Sequence, residues 1–179
     1  MKIFFHQSLN RCDVKRLFLS YQIISIDNLS LIISSSEWID FIDVVVRHAD
    51  SSNVPLEDIV AIAVNAKSID DTGPTITANT MKKLTKLSHF FKLDDFTLYN
   101  VSEVFDIDAF YSYMKKNQWC TKCILEFDEQ ISDAFKNKLK TIVDEILETQ
   151  QFNYKPPVIN FIGLDSQKYE NLRQIYFSH

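Results

Sequence analysis

Glycine and proline are scarce in this chain of 179 residues, which contains two glycines and four prolines. Tight hairpin turns need residues that adopt positive φ, so this shortage argues against a hairpin-rich all-β fold and against collagen-like sequence. Neither Gly73 nor Gly163 lies in a GxGxxG or GxxxxGK[ST] context, so no glycine-rich phosphate-binding loop is present. A nucleotide-dependent enzyme is therefore disfavoured.

Long apolar runs and blocks of positive charge are also absent. No run of about 18 apolar residues could span a bilayer, so we expect no membrane partner, and residues 1–7 lack the sustained apolar region of a secretion signal. The net charge is −5 and the basic groups are short, which disfavours nucleic acid as a partner. Three cysteines without an export signal predict reduced thiols and a cytoplasmic or nuclear protein.

Apolar residues make up 46% of the chain and aromatic residues 13%, which is enough to build a folded core. Helical spacing of these residues predicts two clear amphipathic helices, one over 37–50 behind a Ser36 cap and one over 132–148. Weaker helical patterns start at Met81, after Asp106 and after Ser166. The polar stretch 68–74 predicts a loop.

Short apolar segments precede these helices and share one pattern, in which apolar residues occupy positions one, four and six. Their first residues are spaced by 33, 34, 27 and 36 positions, close to the repeat length of leucine-rich arrays. The segments are Ile26-x-x-Leu29-x-Leu31, Ile59-x-x-Ile62-x-Val64, Leu93-x-x-Phe96-x-Leu98, Cys120-x-x-Cys123-x-Leu125 and Pro156-x-x-Ile159-x-Phe161.

This spacing predicts an α/β fold, namely a leucine-rich-repeat-like solenoid of about five strand-helix units with parallel strands. We expect one domain over residues 1–179, with an N-terminal cap over 1–22 and the strand-helix repeats over 23–179. The uneven repeat lengths, and the absence of an Asn at a constant position after each strand, leave an irregular two-layer α/β sandwich as the alternative.

The residues that could carry chemistry are better explained by structure. Cys120 and Cys123 form the only CxxC, but they begin a predicted strand, whose alternation separates their side chains, so we expect neither a disulfide between them nor a metal site. The acidic pairs lie at loops and helix starts, where Asp caps free N–H groups. Without a nucleophile motif we expect no enzyme, no catalytic residues and no cofactor.

The predicted strand faces suggest where a protein partner would bind. Side chains that alternate with buried Phe96, Leu98, Cys123 and Leu125 would lie on an exposed concave sheet face, and their mixture of charged, aromatic and aliphatic groups is typical of a protein-binding surface. The candidate partner-binding residues are Asp95, Thr97, Tyr99, Lys122, Ile124 and Glu126.

The C-terminal half resembles the FTH domain of nematode F-box proteins over roughly residues 90–176. The resemblance rests on residues 105–110 (FDIDAF), 136–148 (KNKLKTIVDEILE), 154–161 (YKPPVINF) and 169–172 (YENL), together with Gly163. It implies a substrate-recognition region of a cullin-type ubiquitin ligase, with no catalytic residues. No F-box is detected in residues 1–50, so a ligase adaptor is implied as a partner only if an F-box precedes the chain.

Three functions therefore follow as hypotheses. The first is a non-catalytic protein-interaction domain that resembles the substrate-recognition region of an F-box protein. The second is a small enzyme of unknown class that uses a carboxylate or a histidine in a pocket between units. The third is a developmental or germline regulator that binds RNA or nuclear proteins.

Overall fold

Strands and helices alternate along the whole described part of the chain. The computed structural model describes residues 14–119 and 121–178. The strands are β1 (Arg16–Ser25), β2 (Trp38–Arg47), β3 (Ser68–Thr72), β4 (Asp95–Val101), β5 (Lys122–Phe127) and β6 (Val158–Asn160). The helices are α1 (Ile26–Ile33), α2 (Leu56–Ile62), α3 (Thr80–Leu84), α4 (Ile107–Asn117), α5 (Asp133–Glu148) and α6 (Ser166–Ser178), and a short 3-10 helix, Phe90–Lys92, precedes β4.

The six strands form one parallel sheet whose spatial order, β1-β2-β3-β4-β5-β6, is their order in the sequence. Parallel neighbours need crossover connections, and a helix supplies the crossover each time. The prediction of an α/β fold with parallel strands is confirmed. No helix of the described residues is both long and apolar enough to cross a bilayer.

Two segments that the sequence pattern assigned to strands are helices. The prediction for residues 26–31 is wrong because Ser25 caps α1, its side chain accepting a hydrogen bond from the Asn28 amide at 3.2 Å. The prediction for residues 59–64 is wrong because α2 begins directly after Pro55 and buries Leu56, Ile59 and Val60 on one face. In both segments the third apolar residue of the strand pattern is exposed, Leu31 at 58% and Val64 at 51%.

The segment predicted as the clearest helix, residues 37–50, is instead strand β2. Its core-facing residues are Ile39, Phe41, Val44 and Val46, and Asp43 between them adopts a left-handed conformation with φ 50°. One such residue shifts the strand alternation by one position, so a strand produces the i, i+3 spacing of a helix. The β-branched content of residues 42–46 is the signal for a strand.

Three other N-terminal predictions also differ from the structure. Residues 68–72, predicted as part of a loop, form β3, and β1 begins at Arg16, inside the segment expected to be a cap. Ser36, expected to cap a helix, is buried, and its hydroxyl donates to the carbonyls of Val14 and Ile32. Residues 1–13 of the expected cap, with Cys12, and also Cys120 and His179, lie outside the described residues.

The C-terminal helices follow the sequence closely. Helix α4 is capped by Asp106, which accepts from the Ala109 amide at 3.0 Å, and α5 is capped by Ser132, which accepts from the Phe135 amide at 3.3 Å. Helix α6 begins at Ser166 as expected. The predictions of these three helices are confirmed, whereas the pattern from Met81 yields only the five residues of α3.

The core lies between the sheet and the helices. On the sheet side it consists of two rows of side chains that run across the strands. Strand register brings neighbouring core residues side by side, and every member of both rows is at most 5% exposed. The first row is Leu17, Ile39, Ile69, Phe96 and Cys123, and the second is Leu19, Phe41, Asp71, Leu98, Leu125 and Ile159.

A left-handed residue follows the second core row in four strands. Register aligns Ser20, Ile42, Thr72 and Tyr99, and the next residue of the chain after each of them has positive φ. These residues are Tyr21, Asp43, Gly73 and Asn100, with φ of 49°, 50°, 76° and 53°. Asp, Asn and Gly tolerate this conformation, whereas for Tyr it is strained, so its recurrence at one level indicates a shared backbone path.

Phe96 and Thr97 test the strand faces. Phe96 is fully buried with its ring centroid 5.2 Å from that of Phe90, so Phe96→Ala should lower the free energy of unfolding by about 3–5 kcal/mol through the cavity left behind. Thr97→Ala, on the opposite face, should change it by less than about 1 kcal/mol. Urea unfolding measures both, and the reverse ranking would show that the in/out register of β4 is inverted.

Asp71 makes stability depend on pH. Burial, with a contribution from Asp70, raises the pKa of Asp71 to about 7, while an unfolded chain has a value near 4. The native state therefore holds its proton more tightly, and stability should fall as the pH rises from about 4 to about 7. Asp71→Asn should flatten this dependence and unfold at higher urea than wild type at pH 8. An unchanged pH profile in this variant would contradict the assignment.

Candidate functional site: the open face of the sheet

The sheet face opposite the crossover helices α1 to α5 carries side chains that remain accessible, and we call it the open face. It consists of three rows that run across the strands, because outward residues of neighbouring strands are paired in register. The entry row is Arg16, Trp38, Ser68, Asp95 and Lys122. The middle row is Phe18, Asp40, Asp70, Thr97, Ile124 and Val158. The exit row is Ser20, Ile42, Thr72 and Tyr99, and beyond the irregularity between β4 and β5 that follows Leu98 it continues with the register pair Glu126 and Asn160.

All six residues predicted from the sequence lie on this face. Strand register places Asp95 beside Lys122 and Thr97 beside Ile124, and the residues between them on β4 and β5 are buried. The predicted alternation of these two strands is therefore confirmed. Partner binding by Asp95, Thr97, Tyr99, Lys122, Ile124 and Glu126 stays a prediction.

The half of the open face formed by β1, β2 and β3 was missed from the sequence. The sequence pattern predicts Phe18 in the cap, Trp38 and Asp40 in a helix and Asp70 in a loop, whereas they lie on β1, β2 and β3. The signal that could have found Phe18 and Asp40 is the short apolar-x-apolar unit of β1 and β2, Leu17-x-Leu19 and Ile39-x-Phe41. The residues on either side of the central position in that unit face the core, so the central residue faces outward. Strand β3 lacks this signal because its second core position is Asp71.

Helix α6 covers one end of this face. It contacts β6 and α5, and Val158 of the middle row is only 2% exposed. Tyr176 of α6 is also buried, and burial, with a smaller contribution from the Asp95 carboxylate, raises its pKa to about 12. The covered end is the β6 side, whereas at the other end Phe18 is 59% exposed and Trp38 is 39% exposed.

Two carboxylates lie side by side at the centre of the accessible part. Asp40 and Asp70 are direct register partners on neighbouring strands, and both are partly buried. Burial raises the pKa of Asp40, and burial together with the Asp40 charge raises that of Asp70 to about 6. Burial and the charges of Asp70, Glu126 and other neighbours raise the pKa of Tyr99 as well.

The cations around Trp38, the entry-row neighbour of Asp40 on β2, contact Glu37 and the Trp38 ring. Glu37 lies between Lys15 and Lys67, whose side-chain hydrogen bonds lower its pKa to about 2. The Arg16 guanidinium lies over the Trp38 ring at 5.1 Å, and Lys67 lies over the same ring at 5.7 Å. Within residues 14–119 and 121–178, neither Asp40 nor Asp70 forms an ion pair.

The residues considered for other chemistry have structural positions. Cys123 is a buried free thiol in the first core row. His89 has its Nε2 2.8 Å from the carbonyl oxygen of Val60 on the helix side of the sheet. In the described part of the chain, no group of three or more His, Cys, Asp or Glu side chains could hold a metal ion.

A groove of about 500 Å³ lies on the helix side, between α3 and α4. Lys82, Lys116, Phe91 and Tyr113 line it, and the centroids of the two aromatic rings are 5.1 Å apart. Asp106 is the carboxylate among the lining residues, and it accepts the capping hydrogen bond of α4. The groove therefore offers no uncommitted carboxylate for catalysis.

No model of a known protein family, no curated protein and no solved structure matches this chain.

Asp70 provides a direct test of the paired carboxylates. In a ¹³C NMR titration its carboxyl group should titrate with a midpoint near 6. In the Asp40→Asn variant the midpoint should be lower but should stay above the ordinary value near 4, because burial remains when the repulsion from Asp40 is removed. A wild-type midpoint near 4 would contradict the burial and pairing described above.

Proposed function

We propose that this protein is a non-catalytic protein-interaction domain that holds a partner on the open face of its sheet. The observation that carries the proposal is a sheet face with exposed aromatic side chains and unpaired carboxylates. Phe18 and Trp38 are exposed there, and Asp40 and Asp70 have no ion-pair partner among the described residues. Parallel sheets are usually covered on both faces, so an accessible face with anchors of this kind favours binding.

The proposal includes a short solenoid of leucine-rich-repeat type. Two observations support it, namely the sequential order of the strands and the recurrence of a left-handed residue at one level in four of them. In such an array each unit packs only on its neighbours, and the strand face is a common binding surface. The first core row gives unit spacings of 22, 30, 27 and 27 residues.

The resemblance to the FTH region suggests which kind of partner the domain binds and in which compartment. It covers β4 to α6, which includes the three candidate residues of β4 and the three of β5. By this resemblance the partner is a target protein held for a cullin-type ubiquitin ligase in the cytoplasm or nucleus. Direct docking to a ligase adaptor would need an F-box outside residues 1–50.

Tyr99 is the first residue to test. Tyr99→Ala should weaken binding of a captured partner by about 1–3 kcal/mol, roughly 5- to 150-fold, because partly buried aromatic side chains carry much of the binding energy of an interface. Affinity capture from lysate, followed by titration of the isolated partner, gives the dissociation constants. The thermal midpoint should stay nearly unchanged because Tyr99 faces away from the core.

Leu31→Ala is the matched control. Leu31 is 58% exposed on α1, away from the open face, so this variant should retain the partner with wild-type affinity. Wild-type affinity in Tyr99→Ala would contradict the assignment of Tyr99 to the interface. Loss of the partner in Leu31→Ala alone would place the interface on the helix side and overturn the proposal.

A further inference from the structure

We infer that the partner segment held on the open face is basic and that it places a Lys or Arg side chain over Asp40 and Asp70. This inference rests on the proposed function and specifies the chemistry of its partner. Neighbouring strands are about 4.8 Å apart, so the two outward carboxylates lie close enough for one cation to contact both.

Asp40 and Asp70 carry negative charge that no ion pair of the described residues compensates. Like charges directly opposite each other on neighbouring strands destabilise a sheet, and here the two carboxylates are also partly withdrawn from water. The charged groups of the adjacent entry row are Arg16, Asp95 and Lys122, and the Arg16 guanidinium lies over Trp38. A cation supplied by a partner would relieve the repulsion that residues 14–119 and 121–178 leave in place.

Aromatic and polar side chains flank Asp40 and Asp70 on the open face. Along the middle row, Phe18 lies on one side of the carboxylates and Thr97 on the other, and Trp38 is the entry-row neighbour of Asp40 on the same strand. The row from Phe18 to Thr97 crosses three strand spacings, roughly 14 Å, which is the reach of about four extended residues. This face therefore complements a short extended segment with an apolar side chain near Phe18 and a cation beside it.

Binding of a cation at Asp40 and Asp70 differs from the general attraction of cations to an acidic protein. The net charge of −5 attracts any cation weakly over the whole molecule. The pair on the open face differs because it is flanked by exposed aromatic side chains and partly shielded from solvent, which strengthens a local ion pair. The expected contact is therefore confined to residues of β1, β2, β3 and β4.

The experiment uses a phage-displayed library of random twelve-residue peptides, selected on the immobilised full chain. Peptides enriched by wild type should contain more Lys and Arg than the starting library. The most enriched peptide is then synthesised with a fluorescent label, and its affinity is measured by anisotropy. Amide-resonance shifts in ¹⁵N NMR spectra should locate it on the open face.

Two double variants with equal net charge provide the comparison. Asp40→Asn with Asp70→Asn should weaken the peptide at least tenfold, and it should fold because it removes a repulsion. Glu129→Gln with Glu148→Gln removes two exposed carboxylates of a loop and of α5, and should change the affinity less than twofold. Urea unfolding of each variant verifies the fold.

The outcomes separate this inference from the proposed function. Two results would refute the inference that the partner is basic and would leave the proposed interaction surface unaffected. One is that peptides bind the open face without enrichment in Lys or Arg, and the other is that they bind the Asp40→Asn and Asp70→Asn double variant as tightly as wild type. Peptides whose NMR shifts lie on the helix side would overturn both. Equal weakening in the two double variants would show non-specific charge attraction and would also overturn the inference.

Discussion

The parallel register of the six strands is the constraint on which the rest of the structure depends. Successive side chains of a strand point to opposite faces, so a slip of one residue would send Phe96 and Leu98 to the open face and bring Thr97 into the core. Core packing holds each strand in one register, and the same register brings Asp40 beside Asp70. The composition of the open face is thus a consequence of how the core is packed.

The C-terminal half could be predicted from the sequence because its signals agree with one another. Asp106 and Ser132 are good caps, and each is followed by apolar residues at helical spacing. Helix α5 is 16 residues long, and an apolar pattern of that length indicates a helix because strands are usually shorter. The outward residues of β4 and β5 could be predicted too, since simple alternation applies to the residues from Asp95 to Tyr99 and from Lys122 to Phe127.

The elements of the N-terminal half were predicted wrongly for a physical reason. Left-handed residues inside β1 and β2 interrupt strict alternation, and such conformations leave little trace in a single sequence when the residue is Tyr21 or Asp43 rather than Gly. Strand β3 is hard to recognise because its five residues include two adjacent acids, which are rare in strands. Tertiary packing overrides local preference in both cases. The acidic pair on the open face was missed as a result.

Strand β3 combines a structural weakness with a candidate function. Asp70 points to the open face and Asp71 to the core, where it interrupts a row that contains Phe41 and Leu98. Neither position is favourable for folding, because one is beside a like charge and the other is 3% exposed. Local choices that conflict with the global fold tend to occur where function requires them. This conflict favours the β2–β3 part of the open face, rather than the β5–β6 part, as the binding site.

The two acids of β3 are also coupled to each other. The charge of Asp70 adds to the effect of burial in raising the pKa of Asp71, although the side chains lie on opposite faces. A cation held beside Asp70 would offset that charge and make Asp71 easier to ionise. By linkage, an ionised Asp71 strengthens the attraction of a cation to this strand by the same free energy. A cation bound beside Asp70 would therefore be coupled to the protonation of a core residue through strand β3.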